Sequence, residues 1–153
     1  IGALLTRVND RDYQILCLDD MLISLDMGNR DKVIQLILNT ERKPEFEKRA
    51  GFTIMAAYCM ADKISENELF EQFLPIIKRE ANDERLYVKK AVNWALRNIG
   101  KRNINLNRTA IEVAYEILEF ESKSAKWIAK NALTELQKEN IRMSDYPRVE
   151  YRK

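Results

Sequence analysis

The residues best suited to chemistry lie in one short stretch, 88–103, where a tryptophan stands among lysines and arginines. If this stretch is helical, at about 100° per residue, Trp94 falls within roughly 60° of Lys90, Arg97 and Lys101. The opposite face collects the apolar residues, which are Val88, Val92, Ala95, Leu96 and Ile99. A ring flanked by cations suits an anionic partner with flat surface, of which nucleic acid is the commonest. The alternative is an amphipathic ring that packs over neighbouring helices.

Positive charge is concentrated around this tryptophan rather than spread along the chain. The protein has a net charge of only +2, but residues 84–108 contain seven Lys or Arg and one Asp or Glu. No acidic residue lies between Arg85 and Arg108. This segregation favours binding of a polyanion over a solvated face without a partner. The candidate phosphate-binding residues are Lys89, Lys90, Arg97, Lys101, Arg102 and Arg108.

Two further positions combine aromatic and basic side chains or place a cation among apolar ones. On a helix over 122–138, Trp127 projects away from the apolar face and lies near Lys130. A DNA contact and packing between helices are both open for Trp127, whereas Tyr87 is better explained as a half-buried ring. Arg49 lies in a segment that is apolar almost all round, so it requires an anionic partner. That partner is either a phosphate or a carboxylate of another helix.

The chain contains no histidine, which restricts the catalysis available to it. Serine and cysteine triads are excluded, and catalysis would depend on carboxylates, tyrosines, lysines or arginines. Asp19 and Asp20 are the candidate carboxylates, although acidic residues on the exposed side of a helix are usually only solvated. Cys17 and Cys59 stand among apolar residues without CxxC spacing, so we expect reduced core cysteines. We expect neither a metal nor a cofactor.

The elements that must position these residues are all helices. Apolar residues recur at spacings of three and four, and no alternating pattern indicates a strand. Three segments around Ala50, Ala91 and Ile128 resemble one another at intervals of 41 and 37 residues, close to the ~40-residue period of HEAT repeats. The sequence therefore predicts an all-α fold, a HEAT-like helical repeat solenoid or α-α superhelix. The predicted helices cover 12–26, 30–40, 44–61, 66–80, 84–99, 105–120 and 122–138.

Other signals bound the domain. Residues 1–138 are predicted to form a single repeat domain and 139–153 a C-terminal tail that is loop or disordered. Because the chain starts at Ile1, without a methionine, we expect a longer parent with further N-terminal residues. No run approaches the ~20 apolar residues that cross a bilayer, and the first residues lack the features of a signal peptide. We therefore expect a monomer in a reducing, cytoplasmic setting.

Three blocks of the sequence are distinctive, KRAGFTIMAA (48–57), VKKAVNWALRNIGKRN (88–103) and SKSAKWIAKNAL (122–133). Together they resemble the bacterial DNA alkylation repair proteins of the AlkD type, which are HEAT-like glycosylases acting on N3- and N7-alkylated purines. The resemblance implies a curved solenoid that holds double-stranded DNA in a basic channel. It also implies that Trp94 packs beside the damaged nucleotide, while Arg97 and Arg49 approach the DNA backbone near it.

The sequence departs from this family upstream, where members have a tryptophan and, one helical turn later, an aspartate. Here the region reads YQILCLDDML, residues 13–22. A small shift of the alignment places Asp19 or Asp20 at the carboxylate position, with an aliphatic residue in place of the tryptophan. Aligning on Cys17 instead removes the carboxylate. The first alignment predicts a DNA glycosylase whose catalytic residues are Asp20 or Asp19 and Trp94. The second predicts a DNA-binding module without catalysis, and a protein-interaction solenoid is the third interpretation.

Overall fold

A computed structural model describes residues 44–148 of the 153-residue chain. These residues form six helices and no strand, which confirms the all-α prediction. Four of the helices end within two residues of the predicted bounds, and the predicted helices 12–26 and 30–40 lie outside the described residues. The helices are α1 (Glu45–Ala61), α2 (Asn67–Glu71), α3 (Leu74–Glu80), α4 (Leu86–Gly100), α5 (Ile104–Leu118) and α6 (Lys123–Leu136).

Proline and serine set two of these helix starts. The segment predicted as one helix over 66–80 is divided, because α2 ends at Glu71 and α3 begins at Leu74. Pro75 therefore stands in the first turn of α3, where its missing N–H costs no hydrogen bond. At the start of α6, the hydroxyl of Ser122 accepts a hydrogen bond from the backbone N–H of Ala125 at 3.3 Å. Ser122 is thus the N-cap of α6.

Helices α1, α4 and α6 lie side by side and run in the same direction. Near their N-terminal ends, Arg49 of α1 reaches the ring of Tyr87 of α4, and Lys89 of α4 reaches Trp127 of α6. Near the C-terminal end of α4, Lys101 bonds to Glu135 of α6 at 2.9 Å. The N-terminal parts of these helices contact one another, and so do their C-terminal parts, so the helices are parallel. We call these three helices the first row.

The remaining helices form a second row behind the first. α3 packs against α4 and α5, and α5 packs against α4 and α6. In the second row, α2 and α3 together return the chain from α1 to the start of α4, and α5 returns it from α4 to the start of α6. The arrangement is therefore an all-α helical repeat, as predicted. None of the helices within residues 44–148 is long and apolar enough to span a membrane.

Helix α4 is the centre of this packing, since it contacts α1, α3, α5 and α6. Its core stripe of Val88, Val92, Leu96 and Ile99 is completely buried. Gly100, its last residue, permits a close approach to α6. A Cβ at that position would lie 2.7 Å from Cδ2 of Leu136. The absence of a side chain at position 100 thus sets the spacing between the C-terminal ends of α4 and α6.

The structure contradicts the prediction that Arg102 contacts DNA phosphates. Its side chain is only 1% exposed, the largest fully buried side chain among the described residues. The guanidinium donates hydrogen bonds to the carbonyl oxygens of Cys59 at 3.0 Å, of Ser65 at 2.9 Å and of Asp62. It also lies 4.0 Å from the centre of the Phe70 ring. A cation so enclosed cannot reach a phosphate, and its role is to satisfy the carbonyl groups at the end of α1.

The carboxylate of Asp62 completes this buried site. Its Oδ1 accepts hydrogen bonds from the backbone N–H groups of Ile64 at 3.0 Å and Ser65 at 2.7 Å, and it lies 3.5 Å from Arg102. Burial opposes ionisation of Asp62, but the hydrogen bonds from Ser65, Tyr58 and Ile64 together outweigh it and hold the pKa of the carboxyl below its usual value. Burial likewise raises the pKa of the Cys59 thiol well above its ordinary value. Cys59 is thus a protonated core residue, as expected.

A second buried ion cluster joins α1 to α3. Lys48 bonds to Glu80 and, at 3.1 Å, to Asp83, and all three side chains are at most a tenth exposed. The hydrogen bonds of Arg85 lower the pKa of Asp83 to about 2, with a smaller contribution from Lys48. The first residue of the KRAG block therefore fixes the repeat and does not face a ligand.

Residues 139–148, which we call the C-terminal segment, contain no helix but are held against the repeat. The backbone N–H of Ser144 donates to the carbonyl of Lys101 at 3.0 Å, and that of Tyr146 donates to the carbonyl of Arg102 at 3.2 Å. Between them, Asp145 adopts a left-handed conformation with φ of 54°, which aspartate tolerates better than most residues. The segment therefore satisfies two carbonyl groups that α4 leaves unpaired at its end.

We predict that Arg102→Ala lowers the free energy of unfolding by about 3–5 kcal/mol, because it strands buried carbonyl groups and the Asp62 carboxylate. Arg102→Lys should lose part of this, since an ammonium keeps the charge but cannot reproduce the forked hydrogen bonds. Urea denaturation measures both. Arg108→Ala, which removes an exposed arginine of α5, is the control and should change stability by less than about 0.5 kcal/mol. Equal losses for Arg102→Ala and Arg108→Ala would contradict the buried role.

Candidate nucleic-acid interface

The surface of α4 opposite its core stripe carries the residues that the sequence singled out. Tyr87, Lys90 and Trp94 share this side of the helix because their spacings of three, four and seven bring them into line. Tyr87 is 46% exposed and Lys90 is exposed. Trp94 is half-buried and packs against the hydrophobic core. Part of its ring therefore packs over neighbouring residues, and the rest is open to a ligand, so the structure is compatible with both interpretations of this tryptophan. We call this side of the first row, turned away from the second row, the front face.

Helix α6 continues the front face. Trp127 is 39% exposed, and the ammonium of Lys89 lies 5.4 Å from the centre of its ring. Lys130 is exposed one turn further along α6. Neither Lys130 nor Lys90 forms an ion pair with any residue in the part of the chain that is described. These two lysines are therefore available to an anion without the loss of an existing partner.

The same cation-over-ring contact occurs twice along the first row. The guanidinium of Arg49 lies 5.1 Å from the centre of the Tyr87 ring, as Lys89 does over Trp127. Each cation stands 38 residues before its ring. Among residues 44–148, Arg49 has no carboxylate partner, so the ion pair considered for it is not found there. The contact with Tyr87 instead holds the guanidinium at the front face.

A carboxylate that the sequence did not single out neutralises part of this charge. Glu135 of α6 pairs with Arg97 and, at 2.9 Å, with Lys101. Burial opposes ionisation of Glu135, but the hydrogen bond and charge of Lys101 and the charge of Arg97 outweigh it, so the pKa of Glu135 is lowered. Residues 86–107 contain no acidic residue, but in the folded protein Glu135 supplies a counter-charge to two of their cations. Arg97 and Lys101 remain about a quarter exposed.

Amide side chains join the two helices between these pairs. Nδ2 of Asn93 donates to Oδ1 of Asn131 at 2.8 Å, and the guanidinium of Arg97 reaches the same oxygen at 3.4 Å. Lys89, Asn93 and Arg97 are spaced by four, so they form one stripe of α4 along its contact with α6. These contacts between α4 and α6 fix the position of Arg97 beside the front face.

The candidate catalytic residues are brought together only in part. Trp94 lies at the front face, whereas Asp19 and Asp20 fall outside the described residues. Within residues 44–148 no three acidic or cysteine side chains are grouped so that they could hold a metal ion. The described part of the site therefore supplies rings and cations, suited to holding an anion and a flat group, rather than proton-transfer groups.

Fold and site together define an all-α helical repeat protein with rings and cations along one row of helices. The chain belongs to the DNA alkylation repair enzyme family, whose family model matches residues 24–136. No curated protein and no solved structure gave a significant match. Family membership gives the protein a role in DNA alkylation repair and makes DNA its substrate. The family was the one that the three sequence blocks predicted.

We predict that Glu135→Gln strengthens binding to a short DNA duplex several-fold at low salt, because it releases Arg97 and Lys101 from their carboxylate. Fluorescence anisotropy of a labelled duplex measures the change. Glu112→Gln is the matched control, since it removes one exposed carboxylate from α5 in the second row. Equal strengthening by both variants would mean that only net charge matters. An unchanged affinity in Glu135→Gln would show that the two cations do not reach DNA.

Proposed function

We propose that the protein binds double-stranded DNA at the front face and hydrolyses the N-glycosidic bond of N3- and N7-alkylated purines. The family match carries this proposal, because it establishes DNA alkylation repair as the setting. The front face supports it with a half-buried tryptophan beside exposed lysines. The action proposed is that of a monomer without metal or cofactor.

The chemistry requires little more than electrostatic stabilisation. Alkylation at N3 or N7 gives the purine a positive charge, so the base can leave with the electron pair of the glycosidic bond and become neutral. The sugar then develops oxocarbenium character, which a nearby carboxylate stabilises. Water adds to the anomeric carbon and loses a proton to solvent or to that carboxylate. Asp20 or Asp19 is the proposed carboxylate.

Trp94 is proposed to face the damaged nucleotide. A cation over the face of an indole is attracted by about 1 kcal/mol or more when water is excluded. The half-buried position of Trp94 fixes the orientation of the ring, because part of it is held by the core. The indole therefore offers a rigid surface to the positively charged base without an entropy cost for ordering the side chain.

The cations of the first row are proposed to hold the DNA backbone. Lys90 and Lys130 can pair with phosphates directly, since each is exposed. Lys89, Arg97, Lys101 and Arg49 would exchange or share their present contacts with Trp127, Glu135 and Tyr87. Trp127 is proposed as a further DNA contact. Such a surface predicts binding that weakens steeply with salt.

A second candidate function is recognition of alkylated DNA without hydrolysis. The observation that favours it is the upstream sequence YQILCLDDML, which has no tryptophan where the family has one. A protein without both the ring and a correctly placed carboxylate would hold the duplex but accelerate base release very little.

We predict that the protein releases 3-methyladenine and 7-methylguanine from methylated duplex DNA, and that Asp19→Asn/Asp20→Asn abolishes release while duplex binding persists. Chromatography of the free bases measures release. The control is Glu112→Gln/Glu119→Gln, which removes one exposed carboxylate from α5 and one directly after it. This variant should release both bases at the rate of the parent protein. Duplex binding with no release above background would favour recognition without hydrolysis. Absence of binding at low salt would favour a protein-interaction role instead.

We predict that Trp94→Ala reduces base release at least tenfold yet lowers stability by less than the ~3–5 kcal/mol of a fully buried tryptophan truncation. The reason is that only part of the ring packs on the core. Initial rates of release and urea denaturation measure the two effects. Tyr115→Ala removes a 49% exposed ring of α5 and should leave release unchanged. A large loss of stability with normal release would make Trp94 a packing residue only.

A further inference from the structure

A polar groove lies at the C-terminal ends of the first row. Its volume is about 570 Å³, and its walls come from the ends of α1, α4 and α6 and from the C-terminal segment. Four cations line it, Lys101, Lys138, Arg142 and Arg148, against the single carboxylate of Glu135. That carboxylate is already engaged by Arg97 and Lys101. Glu135 is the one carboxylate among the residues that line the groove, so the lining carries an excess of positive charge.

Two of these cations are free to bind a ligand. Lys138 and Arg142 are exposed, and neither makes an ion pair with a residue of the described chain. Their spacing places them on either side of a turn in which Ile141 packs against the hydrophobic core. Because Ile141 is anchored, the backbone that carries both cations is held in place.

The C-terminal segment is fixed at further points. Backbone N–H groups of Ser144 and Tyr146 donate to the carbonyls of Lys101 and Arg102, and that of Arg148 donates to the carbonyl of Lys63 at 3.2 Å. Hydrogen bonds at three positions within five residues give the segment one conformation. The backbone that carries Arg142 is thus fixed, so binding an anion there loses little backbone entropy.

The groove adjoins the front face at Trp94. Asn98, which lines the groove, lies one turn after Trp94 on α4 and donates from Nδ2 to its carbonyl at 2.9 Å. One turn of helix is about 5.4 Å. Lys101 belongs to both surfaces, because it lines the groove and follows Arg97 along the first row. A strand of DNA carries one phosphate per ~3.4 Å of helix axis. A strand that passes Trp94 would therefore reach the groove within a few nucleotides.

We propose that this groove binds backbone phosphates of the DNA strand that flanks the base facing Trp94, with Lys138 and Arg142 as the principal contacts. The inference rests on the proposed function and adds a second anchor, supplied by a segment outside the helical repeat. Contacts to phosphates on both sides of the lesion would then fix the position of the duplex, so that a single nucleotide lies against Trp94.

The test measures the salt dependence of binding to a labelled, undamaged duplex between 50 and 200 mM salt for Lys138→Gln, Arg142→Gln and the double variant. Each phosphate contact that is lost lowers the slope of log affinity against log salt by ~0.9, so the double variant should lose about 1.8. The sequence offered Arg108 as a phosphate contact, but it lies on α5 in the second row and lines neither the front face nor the groove. Arg108→Gln removes this exposed cation and should leave the slope unchanged. Circular dichroism confirms that all four variants fold.

The outcomes separate this proposal from the proposed function. A slope in the double variant equal to that of the parent overturns the groove proposal, whatever happens to base release. A lower slope in the double variant, with Arg108→Gln unchanged, supports the groove even if no methylated base is released. A parent protein without salt-dependent duplex binding overturns both proposals. Equal loss of slope in Arg108→Gln and in the single groove variants reduces the effect to net charge and overturns the groove.

Discussion

The guanidinium of Arg102 contacts the end of α1, the turn that follows, α2 and the C-terminal segment. It satisfies the carbonyls of Cys59, Asp62 and Ser65 at the end of α1 and in the turn that follows, and it stacks on Phe70 of α2. Burial lowers the pKa of Arg102, yet arginine remains charged throughout the physiological range. Its own backbone carbonyl accepts from the C-terminal segment. This buried cation therefore helps to hold the C-terminal end of α1 against that of α4, the same pair of helices that brings Arg49 to Tyr87.

Much of the fold follows from the sequence because it depends on local periodicity. The 3.6-residue period fixes each helix, and the resemblance between segments fixes their repetition. The roles of individual cations do not follow in the same way. Arg102 and Lys101 are neighbours in one basic run, but one is buried by residues about 40 positions earlier and the other is paired with Glu135, 34 positions later. Composition cannot separate them, because the difference arises only when helices meet.

A signal for these pairings was nevertheless present in the sequence. Arg49 meets Tyr87, Lys89 meets Trp127, Asn93 meets Asn131 and Arg97 meets Glu135, all at a separation of 38 residues. The similarity between segments indicated intervals of 41 and 37 residues, close to this value but not equal to it. A constant register of 38 would have assigned Glu135 to Arg97 and each ring to its cation.

The parallel first row has an electrical consequence. Helix dipoles that point the same way add, so the N-terminal ends of α1, α4 and α6 form a positive edge and their C-terminal ends a negative one. Exposed carbonyl oxygens at the negative edge would repel phosphate. Lys101, Lys138 and Arg142 stand at that edge, and the C-terminal segment covers two of its carbonyl groups. These cations and the hydrogen bonds of the C-terminal segment offset part of the negative charge at the helix ends, so this edge is less repulsive to an anion than the bare helix ends would be.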